Sequence, residues 1–364
     1  MSQSATPPRL HCLDWIRVIA FGLLIVYHVE TFYYWSAPGT IENKAIGAMM
    51  LLTHPWRTAL LFVVAGASFR FIYQRAPKGL IARQSFRLGA PLLLGLLLLV
   101  PAQFIVANVE APADWSITHW LTIVAGLDTS RFRHLWFIAY LLAYTVIWAI
   151  GLRLVKRMPK APARQLSGWV LVIGPLALLA LLRALLVPQY GETHDLLNDW
   201  YGHSVSFAAF IFGYALAGAP NTWATLIERR TTFLACAVLG YAGVVAVEDG
   251  PLQFPLFAML QWGGLAAVLG YGAKFCNRQS RTIKYLNGGV LTALLVHEPI
   301  TATSGYYLLK LKLPLAVEAI ALIAVTAVGS WLCYEAVRRA APLCRLTAAH
   351  LFREPAKATL PQPA

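Results

Sequence analysis

The chain has 364 residues, of which 58% are hydrophobic and 13% charged, with a formal net charge of +14. A soluble domain carries about 25% charged residues, so these values exclude a soluble enzyme, a disordered chain and a secreted disulfide scaffold. At about 20 residues per transmembrane helix there is room for roughly ten spans. The positive charge, which in a soluble protein would point to nucleic acid, has first to be placed along the chain.

Ten apolar segments follow one another, centred on residues 15–34, 48–70, 88–108, 134–152, 167–187, 203–219, 231–247, 252–272, 286–308 and 315–337. Their lengths and their lack of strict alternation favour helices over barrel strands. The first segment carries Arg17 and His28 and has no small-residue cleavage site, so it is not a cleavable signal peptide. Lys and Arg then orient the spans. With the N-terminus in the cytoplasm, the inner side holds 23 basic and 4 acidic residues and the outer side 6 basic and 12 acidic. Arg183 falls inside the fifth span. The expected fold is an all-α polytopic membrane protein of about ten transmembrane helices with both termini cytoplasmic. It forms one integral membrane domain over residues 1–364, with a core at about 10–345 and a disordered Pro/Ala-rich tail at 354–364.

The five cysteines (Cys12, Cys236, Cys276, Cys333 and Cys344) lie in inner loops or inner membrane halves under this topology, so no disulfide is expected. No CxxC, Cys/His metal spacing, Walker loop or GxGxxG occurs. The expectation is no metal, no bound cofactor and no nucleic-acid partner; the partner is the lipid bilayer. No internal repeat stands out, which counts against an inverted-repeat transporter.

Titratable groups inside a bilayer are costly and mark function by default. The first span carries Asp14, Arg17 and His28. Eleven positions separate Arg17 from His28, which leaves about 20° after three turns, so they share a helix face about 16 Å apart. Asp14 is one turn from Arg17 and is placed to pair with it. One face thus links an anion-binding group on the inside to a proton-transfer group on the outside. The plainer reading is a snorkelling Arg17 and a packing His28. The second span opens with His54-Pro55-Trp56-Arg57, the fourth with His134-Leu135-Trp136-Phe137, and the ninth carries His297-Glu298-Pro299. His28, His54, His134 and His297 therefore share the outer half, which suggests a polar cavity opening outward. Pro299 is expected to free a carbonyl near His297 and Glu298. Arg83 and Arg87, in an inner loop without acids, are either phosphate ligands or topology anchors. His194 and His203 are read as solvated or rim residues.

The run Leu13-Asp14-Trp15-Ile16-Arg17 followed by His28 resembles the opening of the acyltransferase 3 family of integral membrane acyltransferases. That family includes periplasmic glucan succinyltransferases and O-antigen and exopolysaccharide acetyltransferases. The segment 62–68 is similar to its Phe-Phe-x-x-Ser-Gly second span, with Ala65 replacing Ser. Arg87-Leu88 with Pro91 resembles its Arg-Leu-x-x-Pro, and residues 134–137 match its His-Leu-Trp-Phe. Val296-His297-Glu298 resembles its Leu-His-Gln, with Glu298 in place of Gln, and Arg83-x-x-x-Arg87 replaces Arg-x-x-Arg.

The resemblance covers about residues 10–345 and implies a stand-alone enzyme of the bacterial inner membrane. It would be an acyltransferase for groups other than amino-acyl groups, moving an acyl group from cytoplasmic acetyl-CoA or succinyl-CoA to an extracytoplasmic glycan or small hydroxylated acceptor. Arg17, Arg83 and Arg87, with Asp14 beside Arg17, would bind the acyl-CoA. His28 would be the general base, or else carry the acyl group. His134 or His297 would orient the acceptor or stabilise the oxyanion, and Glu298 would hold the tautomer of His297. The rival reading is a proton-coupled or polar-substrate transporter, which also explains intramembrane His and Glu.

Overall fold

The computed structural model describes residues 10–36, 41–103, 117–126, 132–155, 167–247 and 250–340. The expected tail at 354–364 lies outside them. Hydrocarbon offers no partner to the backbone, so the apolar segments close their hydrogen bonds internally as helices. The order is α1 (His11–Ser36), α2 (Ile41–Arg75), α3 (Leu80–Leu94), a π-helical stretch (Gly95–Leu99), α4 (Ile117–Ala125), a 3-10 turn (Arg133–Leu135) and α5 (Trp136–Val155). Then come α6 (Gly168–Tyr190), α7 (Trp200–Leu216), α8 (Pro220–Glu228), α9 (Arg230–Ala246), α10 (Gln253–Phe275), α11 (Arg281–Leu309) and α12 (Leu315–Ala340).

The described part of each of the ten apolar segments falls largely on a helix. Seven helices are long and apolar enough to cross a membrane, or eight if α7 and α8, bent by 108° at a short break, count as one broken span. The chain is thus an all-α polytopic membrane protein. The two other expected segments fall on α9, a shorter apolar helix of 17 residues, and on α11, which carries Asn287, His297 and Glu298.

Two compact units divide the chain. The first takes residues up to Leu80 and Ile147–Asn287, and α10 is its hub, packing on α1, α2, α6, α8 and α9. Accordingly α10 is the most buried of the candidate spans. Helix α2 also packs along α7 at very close range. A Cβ at Gly66 would meet the Phe210 carbonyl and one at Gly213 the Val63 carbonyl, so only glycine lets these backbones approach. At the bend after α7, Arg70 donates to the Tyr214 carbonyl at 3.2 Å, which supplies a helix-end acceptor with a partner.

The second unit takes Ile81–Val146 and residues from Gly288 onward. Pro91 lies inside α3, and the chain passes into the π-helical stretch four residues later. Leu135 and Leu295 crowd Gly95 there, so a side chain at this position would collide with Leu135. Thr301 on α11 and Thr326 on α12 share a hydrogen bond of 3.0 Å between helices, as polar side chains in apolar bundles must.

In the first unit the link between α6 and α7 is tightly built. Asp195 accepts from the backbone of Leu197 (2.8 Å) and Asn198 (3.0 Å). Asp199 caps α7 by accepting from Gly202 at 2.7 Å, and its other oxygen accepts from the His194 backbone at 2.7 Å. His203 Nε2 donates to the Leu196 carbonyl at 2.8 Å. His194 has a φ of 58° and is half-buried, not solvated. Burial lowers its pKa below the usual histidine value, and Arg57 acts in the same direction; Asp199 and Glu192 oppose them without prevailing.

Two measurements follow from this packing. Gly213→Val should lower the thermal midpoint in detergent, by a cost of about 1–3 kcal/mol for overpacking. Gly22→Ala, with open space around the new methyl, should leave the midpoint unchanged or raise it; equal behaviour of the two variants would refute the close approach. The folded protein holds His194 neutral more strongly than the unfolded chain does. Its contribution is therefore fully present above the unfolded pKa of about 6.5 and is lost as pH falls toward the folded value. His194→Asn, which tolerates the positive φ, should reduce the loss of thermal midpoint between pH 7 and pH 5; an unchanged slope would exclude this role.

Candidate functional site

At one end of the first unit, α1 begins with Asp14, Trp15 and Arg17. Arg17 Nη1 donates to Asn287 Oδ1 at 2.8 Å, and Nη2 donates to Ser68 Oγ. Ser68 in turn donates to the Val64 carbonyl at 2.8 Å, which fixes its hydroxyl as an acceptor toward Arg17. Asn287 Nδ2 donates to Asp14 Oδ1 at 2.9 Å. A neutral amide thus bridges the acid and the base that the sequence places one turn apart. Beside this network lies a cleft lined by His11, Asp14, Trp15, Arg278, Ser280 and Lys284, among others. Trp15 Nε1 donates to the Arg278 carbonyl at 3.0 Å, and Ser280 Oγ accepts from the Ile283 backbone at the start of α11. Arg278 and Lys284 give the cleft two cations at a helix N-terminus, a setting suited to anions.

Farther along α1, Tyr27 meets α2 near the middle of that helix. The Tyr27 ring stacks on His54 with centroids 5.2 Å apart and meets His28 edge-on at 5.7 Å. The Arg57 guanidinium lies 3.8 Å from the centre of the same ring and is 1% exposed. Its Nη1 donates to Thr53 Oγ1 at 3.2 Å. Gln261 on α10 donates to the Pro55 carbonyl at 2.9 Å. Arg183, charged within α6, pairs with Glu192 at 2.8 Å, donates to Tyr201 Oη at 3.1 Å and stacks over Phe257 at 3.4 Å.

In the second unit His134, His297 and Glu298 come together. Pro299 has no N–H, so the Leu295 carbonyl loses its helical partner. His134 Nε2 donates to that carbonyl at 2.9 Å. His134 Nδ1 lies 2.6 Å from Glu298 Oε2, which also accepts from the His134 backbone at 3.1 Å. Both ring nitrogens of His134 are therefore held. Glu298 also stands 3.8 Å from Arg133. The His134 and His297 rings meet edge-on at 5.4 Å. His297 Nδ1 donates to the Ala293 and Leu294 carbonyls at 3.0 and 2.9 Å, which sets the tautomer. Glu298 thus pairs with His134, while the sequence leads one to expect it to hold the tautomer of His297, whose Nδ1 is engaged by carbonyls of its own helix.

Arg83 and Arg87 stand one turn apart on α3, the first exposed and the second half-buried. Among the described residues, no group of three His, Cys, Asp or Glu is placed to hold a metal ion. Sequence reasoning missed Asn287, Ser68, Arg278 and Lys284. The first two are uncharged and pass a search for intramembrane charge; the last two look like ordinary topology-setting cations.

No match was found among curated proteins or among solved structures. The model of the acyltransferase 3 family, described as an acyltransferase domain, matches residues 10–335, which takes in Arg17, His28, His134 and His297. The chain therefore belongs to the acyltransferase 3 family of membrane acyltransferases.

Proposed function

We propose that this protein is a multi-pass enzyme of the bacterial inner membrane that transfers an acyl group other than an amino-acyl group. The donor is cytoplasmic acetyl-CoA or succinyl-CoA, and the acceptor is a hydroxyl of an extracytoplasmic carbohydrate or a similar small molecule. In this reading the chain is one functional domain of ten spans with both termini cytoplasmic, as its charge distribution favours. One observation carries the reading. A single apolar helix, α1, holds Arg17 in a polar network beside a basic cleft and, eleven residues on, presents His28 beside a second polar cluster. An enzyme that draws its two substrates from opposite sides of a membrane needs such a pair.

Arg17 binds acyl-CoA phosphate, with Arg278 and Lys284 of the adjoining cleft as further ligands. Asp14 acts through Asn287 to aim the guanidinium. Arg83 and Arg87 are proposed as phosphate ligands in their own right. His28 takes the proton of the acceptor hydroxyl as its oxygen attacks the thioester carbonyl. The tetrahedral oxyanion collapses with cleavage of the C–S bond, and the CoA thiolate leaves with the proton that His28 held. His134 has both ring nitrogens engaged, so it and Glu298 are positioning residues. His297 donates through Nδ1 to its own helix, which leaves Nε2 as a proton acceptor, suited to an acceptor hydroxyl and unsuited to an oxyanion.

Membranes supplied with acyl-CoA and unacylated surface glycan from cells lacking the gene test this directly. His28→Ala should lower kcat by at least about 100-fold at unchanged thermal midpoint; full activity would exclude His28 as base. Arg17→Ala should raise the acyl-CoA KM by about tenfold or more, the worth of a charge-assisted hydrogen bond, and leave the acceptor KM unchanged. Equal rises in both would assign Arg17 to folding. Mass spectrometry of surface glycans with and without the gene should reveal one missing acyl mass.

A further inference from the structure

Three charged or titratable side chains near His28 carry buried polar atoms that the protein leaves unsatisfied. Arg57 Nε, His54 Nδ1 and Glu30 Oε2 are all buried without a hydrogen-bond partner among the described residues. Such a group is costly when left bare, and the more so when charged. All three belong to the first unit, on the second half of α1 and the first half of α2. Tyr27 joins them to the proposed base: its ring stacks on His54, lies under Arg57 and touches the His28 ring edge-on. The cluster is held from behind by Thr53 on Arg57 and by Gln261 on the Pro55 carbonyl.

We propose that His54 and Arg57, packed on the Tyr27 ring, together with Glu30 about one turn further along α1, form the subsite that holds the acceptor, and that the acceptor is a neutral polyhydroxylated ring. This rests on the acyl-transfer reading above. The chemistry of the vacant atoms selects the class. Arg57 Nε is an obligate donor and Glu30 Oε2 an acceptor, while His54 Nδ1 takes either role according to tautomer. A hydroxyl both donates and accepts, so neighbouring hydroxyls on one ring satisfy a guanidinium and a carboxylate together. A second carboxylate or phosphate would meet Glu30, and an ammonium would meet Arg57. The aromatic face and the stacked guanidinium make the site rigid before the ligand arrives, which lowers the entropic cost of binding. The Tyr27 ring touches both His54 and His28, so a ring held at this cluster lies one side chain away from the base.

The test uses full-length protein in membranes, with unacylated surface glycan from cells lacking the gene as acceptor and acetyl-CoA and succinyl-CoA as donors. Arg57→Lys and Glu30→Gln should each raise the acceptor KM at least about tenfold while the donor KM and the thermal midpoint stay within about twofold and a few degrees of wild type. His54→Gln serves as the third variant should buried Arg57 not tolerate lysine. Acceptor KM values unchanged in Glu30→Gln and His54→Gln would overturn the subsite, as would parallel changes in both KM values. If the wild type transfers no acyl group to any glycan, the acyl-transfer reading fails; if the wild type transfers and the variants do so equally well, the subsite alone fails.

Discussion

Hydrocarbon offers no hydrogen bonds, so every polar group inside these helices must find its partner in the chain itself. Much of the structure follows from that requirement. Pro299 deprives the Leu295 carbonyl of its helical donor, and His134 supplies one. The other nitrogen of the His134 ring is met by Glu298 at 2.6 Å and by the Gln103 amide at 3.4 Å. Arg17 and Asp14 are reconciled through the two ends of one amide, Asn287. Arg183, alone among apolar residues of α6, is met by a carboxylate, a phenol and a ring face.

Where the requirement is met fully, the residues fasten one segment to another; the proposed acceptor subsite is built where it is left open. His134 has no ring nitrogen to spare, which makes it a fastening between the turn at Arg133–Leu135 and α11. Glu30, His54 and Arg57 stand in the opposite condition: each has a buried polar atom without a partner among the described residues, and His54 and Arg57 lie against the ring that also touches His28. His134 and His54, both expected in the outer half from the sequence, thus have different chemistry open to them.

Helix α1 gains its importance from length as well as from residue type. Eleven residues at about 1.5 Å each separate a cation from an imidazole by roughly half a bilayer core. The neighbouring helices are held against it by α10, which is lined with small residues and buried more than any other span. Closely packed backbones give these side chains fixed positions, and a site that must place a thioester and a hydroxyl together depends on fixed positions.

The all-helical, membrane-spanning character, the candidate spans and the shared face of Arg17 and His28 were legible in the sequence, because hydropathy and the 3.6-residue period are local properties. The freed carbonyl before Pro299 was legible for the same reason. Depth along each span is a local expectation of the same kind. Direction across the bundle is not, since it depends on which helices adjoin. Only the tertiary structure joined Glu298 to His134, and only it brought Asn287 between Asp14 and Arg17 from 270 residues away. Uncharged residues such as Ser68, Asn287 and Gly213 have roles set wholly by what lies opposite, and no single segment of sequence contains that information.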